Sequence, residues 1–244
     1  MHPAYDRPAA EDYDRAMADA IAEHAALWAL PPSEWSAYLG AHSGLPGPRA
    51  NLPLATAVAL RANPAVVGEL LRDGREFQTM CAAAALGARA DDPASERRAR
   101  DLASDTRWRV REGVALGLQL LGDTAPSQLA RIVRGWADGD DPLVQRAATA
   151  AICEPRLLRT PETAALAVDV CRVATRNLCQ LPPARRKMPD ARTLRQALGY
   201  CWSVAVAADP AAGLPAFREL DTEDADVAWI VTQNSRKKRL SSLL

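Results

Sequence analysis

Apolar residues recur along most of this chain at the three- and four-residue spacing of amphipathic helices. Met17, Ile21, His24 and Trp28 show this spacing near the N-terminus. The alternating runs of β-branched and aromatic residues that are typical of strands are absent. The pattern therefore predicts an all-α chain. The predicted helices are 13–30, a short one after Ser33, 51–62, 64–73, 75–89, 93–103, 107–121, 126–137, 142–153, 161–180, 190–208, 211–220 and 224–242.

Short polar turns that end in proline separate these apolar stretches. Asn63-Pro64, Asp92-Pro93, Asp141-Pro142 and Asp209-Pro210 share the arrangement. Proline suits the first turn of a helix, and a preceding Asp or Asn side chain can accept from the free backbone N–H groups there. We therefore expect a helix to begin at each of these prolines. The connection 181–189 is longer than the others, and we expect it to form an exposed excursion at one edge of the fold.

Two segments of the chain repeat the same order of residue types. Residues 105–118 and 140–152 each begin with an acidic turn, continue through a Val, and end in a helix rich in small residues. Val110 and Val144 stand 34 residues apart, a period that indicates an array of helical repeats. The expected fold is an α-solenoid of about five antiparallel helical hairpins. We expect an N-terminal helical cap over 1–48 and the solenoid over 49–244.

These segments resemble HEAT repeats, which have an Asp-rich turn, then Val-Arg, then an Ala-rich helix. Residues 105–118 and 140–152 carry the resemblance most clearly, and residues 224–240 look like a terminal repeat of the same kind. The likeness covers about residues 50–244 and includes bacterial HEAT repeat proteins with no assigned activity. It implies a non-catalytic interaction or scaffold protein that binds a protein partner on its concave surface.

A narrower likeness links residues 108–112, 135–138 and 143–148 to HEAT-like DNA alkylation repair proteins. That family contains alkylpurine DNA glycosylases that hold DNA in a concave basic groove. The resemblance implies that Trp108 and Glu112, four residues apart on one helix face, would serve the damaged nucleotide.

The match to those repair proteins is incomplete. The acid is Glu112 where the best-known branch has Asp, and of a phosphate-binding Arg pair only Arg146 is present, with Gln145 beside it. The alternative function is therefore a DNA-binding protein or DNA glycosylase. In the other interpretation Trp108 fills space between repeats and Glu112 pairs with Arg109 or Arg107.

Four further arginines are candidates for binding a nucleic acid or a protein partner, together with Arg146. Arg107 and Arg111 share one helix face, and Arg131 and Arg134 lie on the polar face of helix 126–137, which we expect to be a second hairpin helix on the concave side. The alternative roles are structural bonds to the acidic turns, or simple exposure to solvent.

The overall charge argues against a general polyanion binder, because 30 Lys and Arg balance 30 Asp and Glu. Two local basic runs, 185–187 and 236–239, are nevertheless present. If both faced the same way, they would form a rim for phosphate groups.

Cysteines and histidines give no pattern of a metal or catalytic site. The five cysteines lack CxxC spacing and lie in apolar helical stretches, so we expect buried, reduced thiols. The last histidine is His42, which leaves the repeat region without the base of a nucleophilic triad. No apolar stretch is long enough for a membrane span, and the first residues do not resemble a secretory signal. We expect a cytoplasmic protein with no cofactor.

Overall fold

The computed structural model describes residues 10–244, with the side chains of residues 10–14, 16 and 17 left out. This part of the chain is built from α-helices, without a β-strand. The helices are α1 (Ala10–Glu23), α2 (Ala25–Trp28), α3 (Pro32–His42), α4 (Leu52–Arg61), α5 (Pro64–Asp73), α6 (Glu76–Gly87), α7 (Pro93–Ala103), α8 (Trp108–Thr124), α9 (Pro126–Ala137), α10 (Pro142–Ile152), α11 (Pro161–Gln180), α12 (Pro183–Arg186), α13 (Pro189–Ala208), α14 (Pro210–Arg218), α15 (Ala225–Ser235) and α16 (Lys238–Ser241). A short 3₁₀ turn, Pro155–Leu157, follows α10.

The polar residues before the prolines cap the helices as predicted. Asn63 accepts from the backbone N–H of Val66, and Asp92 accepts from that of Ser95. The side chain of Asp141 does the same for Leu143 at the start of α10. Each cap satisfies a backbone donor that has no partner within its own helix. The turn chemistry therefore fixes where the helices begin.

The helices alternate between two rows, which confirms an α-solenoid. The inner row contains α4, α6, α8, α10, α13 and α15, each in contact with the next, and the outer row contains α5, α7, α9, α11 and α14. Five hairpins result, namely α5–α6, α7–α8, α9–α10, α11–α13 and α14–α15. Inner-row neighbours approach each other more closely than the outer-row neighbours α5, α7 and α9 do. The array therefore curves there with the inner row on its concave side.

The closest approach in the array joins α6 to α8 and depends on glycine. A Cβ atom on Gly117 would overlap the carbonyl oxygen of Ala84 and lie 2.8 Å from the Cα atom of Gly87. A Cβ atom on Gly113 would overlap the carbonyl oxygen of Met80. Every residue of α6 from Phe77 onward is buried, and the flanking helices α4 and α8 also touch each other. Small side chains thus let the two inner-row helices α4 and α8 close around α6.

Both ends of the chain are more segmented than the apolar pattern indicates. The helix predicted over 13–30 breaks at His24, whose buried ring lies 3.0 Å from the Tyr38 hydroxyl. The helix predicted over 224–242 is interrupted between α15 and α16. Helices α1 and α3 pack on α4 and α5. Residues 1–9 of the expected cap lie outside the described residues, and the boundary at 48/49 remains a prediction.

Among residues 10–244, none of the helices combines the length and the apolar character that crossing a membrane requires.

Candidate partner-binding surface

The first turn of α8 presents an aromatic side chain on the inner row. Trp108 is 42% exposed, an unusual fraction for so large an apolar residue. The guanidinium of Arg109 lies over its ring, 4.6 Å from the centroid. That same guanidinium donates to Glu76 of α6 over 3.1 Å. The indole is therefore braced against the preceding repeat while much of its surface remains open to solvent.

Glu112, one turn further along α8, forms an ion pair with Arg146 of α10. The expected pairing with Arg107 or Arg109 is wrong, because those two arginines bind other carboxylates. Arg146 is largely buried, whereas the Glu112 side chain is 41% exposed. Burial lowers the pKa of the Arg146 guanidinium to about 10, so that it stays protonated at neutral pH. A second Arg146 nitrogen donates to the carbonyl oxygen of Arg111 over 3.4 Å. The pair therefore links two adjacent repeats, and the Glu112 carboxylate is engaged in this link.

Arg107 makes the corresponding link in the other direction along the inner row. It donates to the carbonyl oxygen of Gly74 over 2.5 Å and to the Thr79 hydroxyl over 3.3 Å. It also holds both carboxylate oxygens of Asp105, at 2.9 and 2.6 Å. These hydrogen bonds from Arg107 hold the pKa of Asp105 below its ordinary value. Arg107 is thus bound by partners within the fold.

Arg111 covers the turn that precedes α8. One of its nitrogens donates to the carbonyl oxygens of Asp105 and Thr106, over 2.6 and 3.0 Å. Among the described residues, no carboxylate lies within ion-pair distance of its guanidinium. Burial lowers the pKa of Arg111 from its ordinary value. Arg111 therefore carries a partly desolvated charge whose partners are uncharged carbonyl groups.

Arg111 lines an open groove of about 930 Å³ at the edge where α8, α10 and α13 begin. Residues 104–106 form one wall, Leu143 of α10 forms the floor, and the segment 182–193 forms the opposite wall. Met188, which is 50% exposed, belongs to that second wall. The groove will be called the edge groove.

The segment 181–189 is mostly exposed at the edge of the fold, as its length predicts, and ion pairs hold it in place. It contains α12, and Arg186 donates to Asp224 over 2.5 Å and to the carbonyl oxygen of Leu181 over 2.9 Å. Arg185 is bound to both carboxylate oxygens of Asp190. The segment is therefore a fixed wall of the edge groove.

The remaining candidate arginines lie elsewhere. Helix α9, which carries Arg131 and Arg134, is the first helix of its hairpin and stands in the outer row, so the expectation that it lines the concave side is wrong. Arg131 donates to Glu96 of α7 over 2.8 Å, and Glu96 also accepts from the Trp136 indole over 3.3 Å. The structure thus brings Arg107, Arg111 and Arg146 near Trp108 and separates Arg131 and Arg134 from them.

The basic run at 236–239 is partly folded against the protein. Arg239 donates to the Tyr200 hydroxyl over 3.0 Å, and its guanidinium and the Lys237 ammonium lie over the Tyr200 ring. Two of its four cations are therefore used within the last repeats, as are Arg185 and Arg186 of the other run.

Burial of the cysteines is confirmed for Cys81, Cys153, Cys171 and Cys201, while Cys179 is half-buried. Sequence spacing did not indicate that three of them meet where α10, α11 and α13 join. The Sγ atoms of Cys153 and Cys171 are 3.7 Å apart, and Cys201 lies beside them. Within residues 10–244, no cluster of His, Cys, Asp and Glu has the arrangement of a metal site.

Comparison with known proteins bears on the repeats themselves. The family model for HEAT repeats matches residues 63–153, which run from the cap of α5 to the end of α10. No curated protein and no solved structure matches the chain. The first three of the five hairpins, α5 to α10, therefore match the HEAT-repeat pattern.

Proposed function

We propose that this chain is a non-catalytic protein-interaction module that binds its partner on the inner row of the solenoid. The exposed Trp108 on the first turn of α8 is the observation that carries this proposal. Tryptophan and arginine are the side chains most enriched among residues that dominate binding energy at protein interfaces. HEAT repeats supply an extended stacked surface suited to such contacts.

The setting of Trp108 favours a binding role. Arg109 and Glu76 hold the indole in place before a partner arrives, so less side-chain entropy is lost on binding. Burying the exposed part of the ring would then contribute about 2 kcal/mol or more, as anchor residues do. This contribution corresponds to about a thirtyfold change in the dissociation constant.

Site-specific crosslinking tests the proposal directly. A photoreactive phenylalanine analogue at position 108 should crosslink one protein in a lysate of the source organism, and the same analogue at outer-row position 134 should not. In a pull-down, Trp108→Ser should lose that protein, whereas Arg134→Ser should retain it. Equal recovery by both variants, each shown to be folded by circular dichroism, would refute the proposed surface.

The geometry gives no support to a DNA glycosylase or DNA-binding function. The Glu112 carboxylate is bound to Arg146, and the two outer-row arginines cannot join Trp108 in one groove. A labelled DNA duplex carrying an alkylated purine provides the contrasting assay. We expect neither base release nor DNA binding at about 0.15 M salt. A DNA glycosylase would instead bind the duplex in a salt-dependent manner and release the base, and its Glu112→Gln variant would still bind DNA but would no longer release the base.

A further inference from the structure

The edge groove combines apolar walls with charges that are mostly paired. Leu143, Pro182, Ala184 and Met188 supply apolar surface to its floor and one wall. Its volume lies within the range of about 300–1,000 Å³ that is usual for ligand clefts. An exposed methionine beside such a cleft suits binding, because its flexible side chain adapts to different apolar partners.

The charges around the groove balance overall, since Asp141 beside Ser104 adds a third carboxylate, but one lining cation has no ionic partner among the described residues. Asp105 is held by Arg107, which lies outside the groove, and Asp190 is held by Arg185. Both carboxyl groups have their pKa values lowered by these arginines, so both pairs stay ionised and cancel. Arg111 is the remaining lining charge, and the described carboxylates are all beyond ion-pair distance from it. The groove is therefore apolar with one local contact point for a negative charge, at the Arg111 guanidinium.

We propose that the edge groove binds an extended peptide segment of a partner protein in which a carboxylate side chain stands between aliphatic side chains. Arg111 holds the carboxylate, while Leu143 and Met188 contact the aliphatic groups. The carboxylate replaces water around a guanidinium that the protein has already partly dehydrated, and it forms charge-assisted hydrogen bonds there.

A peptide suits the groove because its lining comes from three successive hairpins and remains open to solvent along the edge. The groove also begins in the turn before Trp108, and Arg111 lies within one helical turn of that indole. One protein partner can therefore contact both. The inference rests on the proposed protein-binding function and assigns a second, chemically defined contact to it.

Fluorescence polarisation with two short labelled peptides tests this inference. The probe is Ser-Leu-Leu-Glu-Leu-Leu-Ser, and the control replaces its Glu by Gln. We expect the wild-type protein to bind the Glu peptide about tenfold more tightly than the Gln peptide, because a hydrogen bond to a charged group is lost in the latter. Added salt should reduce this preference.

Matched variants separate the roles of the groove residues. Arg111→Gln should abolish the preference for Glu, Met188→Ser should weaken both peptides equally, and Arg134→Gln on the outer row should change neither. Since Arg111 also braces a turn, Leu143→Asp provides a second route. It leaves the turn untouched and should prevent binding of the Glu peptide.

Equal affinity for the two peptides, or a preference for Glu that survives in folded Arg111→Gln, would overturn the inference. Absence of binding by the Glu peptide at millimolar concentration would do the same. Failure of these peptides alongside loss of the crosslinked protein in Trp108→Ser would reject only the edge groove. Failure of the Trp108 experiments would reject the proposed function itself.

Discussion

Substitution of Gly117 by alanine tests whether the approach of α6 and α8 determines the stability of the array. In most helices this change is favourable, because glycine in a helix interior costs about 1 kcal/mol relative to alanine. At Gly117 the added methyl group would overlap the Ala84 carbonyl oxygen and crowd the Cα atom of Gly87. Both atoms belong to the backbone of α6, so no side-chain rotation can relieve the overlap.

The magnitude follows from these two opposing effects. Overpacking a filled core typically costs about 1–3 kcal/mol, and the upper value is appropriate because α6 is enclosed by its neighbours. Subtracting the helix-propensity gain of about 1 kcal/mol leaves Gly117→Ala about 2 kcal/mol less stable than the wild type. Gly68 in α5 is the matched control, since its added Cβ atom would meet only an Arg72 nitrogen at 4.0 Å. Gly68→Ala should therefore gain up to about 1 kcal/mol.

Urea unfolding followed by far-ultraviolet circular dichroism measures the free energy of unfolding of the three proteins. The two variants should move in opposite directions and differ by about 3 kcal/mol. A Gly117→Ala protein as stable as the wild type, or variants that shift together, would show that the two helices separate easily and that the glycine contact does not limit the fold.

Three further changes probe other contacts. Arg107 holds the pKa of Asp105 below its ordinary value of 3.8, so the ionised carboxylate stabilises the fold above about pH 4, and this stabilisation is lost as the pH falls through the folded-state pKa. Asp105→Asn should therefore melt at a lower temperature than the wild type at pH 7, and the difference should narrow below about pH 4. A difference that stays constant with pH would contradict this reasoning. Asn234 is fully buried and makes hydrogen bonds to the backbone of Leu198 and Ser203 over 2.9 and 2.8 Å. Asn234→Ala should lower the free energy of unfolding, measured in urea, by about 2–3 kcal/mol. A change within experimental error would show that these hydrogen bonds contribute nothing to stability. Burial raises the pKa values of Cys81 and Cys171, and hydrogen bonds between thiols, together with burial, raise those of Cys153 and Cys201. A disulfide reagent at pH 8 should therefore react with these four thiols only after denaturation. Fast modification of more than the half-buried Cys179 in the native protein would refute their burial.

The helices were largely predictable because their start signals are local. Asn63, Asp92 and Asp141 bond to backbone groups two or three residues away, so the sequence contains both partners of each cap. The break at His24 was not predictable, because it accompanies a contact with Tyr38, 14 residues further along the chain. The sequence also did not show whether each helix lies in the inner or the outer row. Placing α9 in the outer row requires knowing which helices it touches.

The candidate site was only partly predictable for the same reason. The spacing of Trp108 and Glu112 placed both on one helix face, and the structure agrees. The sequence did not show which residues hold them within the fold, because these lie 33 or 34 positions away. Glu76 binds Arg109, which covers the Trp108 ring, and Arg146 binds Glu112. The edge groove joins residues 104–106 to residues 182–193, and no local pattern indicates that these segments meet.

The enclosure of α6 also determines where this solenoid can bend. Helices α6 and α8 interlock through backbone contacts, whereas α4 touches α6, and α10 touches α8, far less extensively. Bending stiffness is therefore uneven along the array, because the junction between α6 and α8 resists deformation more than that between α4 and α6 or that between α8 and α10. The Glu112–Arg146 ion pair and the floor of the edge groove lie at the junction between α8 and α10. A partner bound there would act across a more compliant junction and fix the angle between two neighbouring repeats.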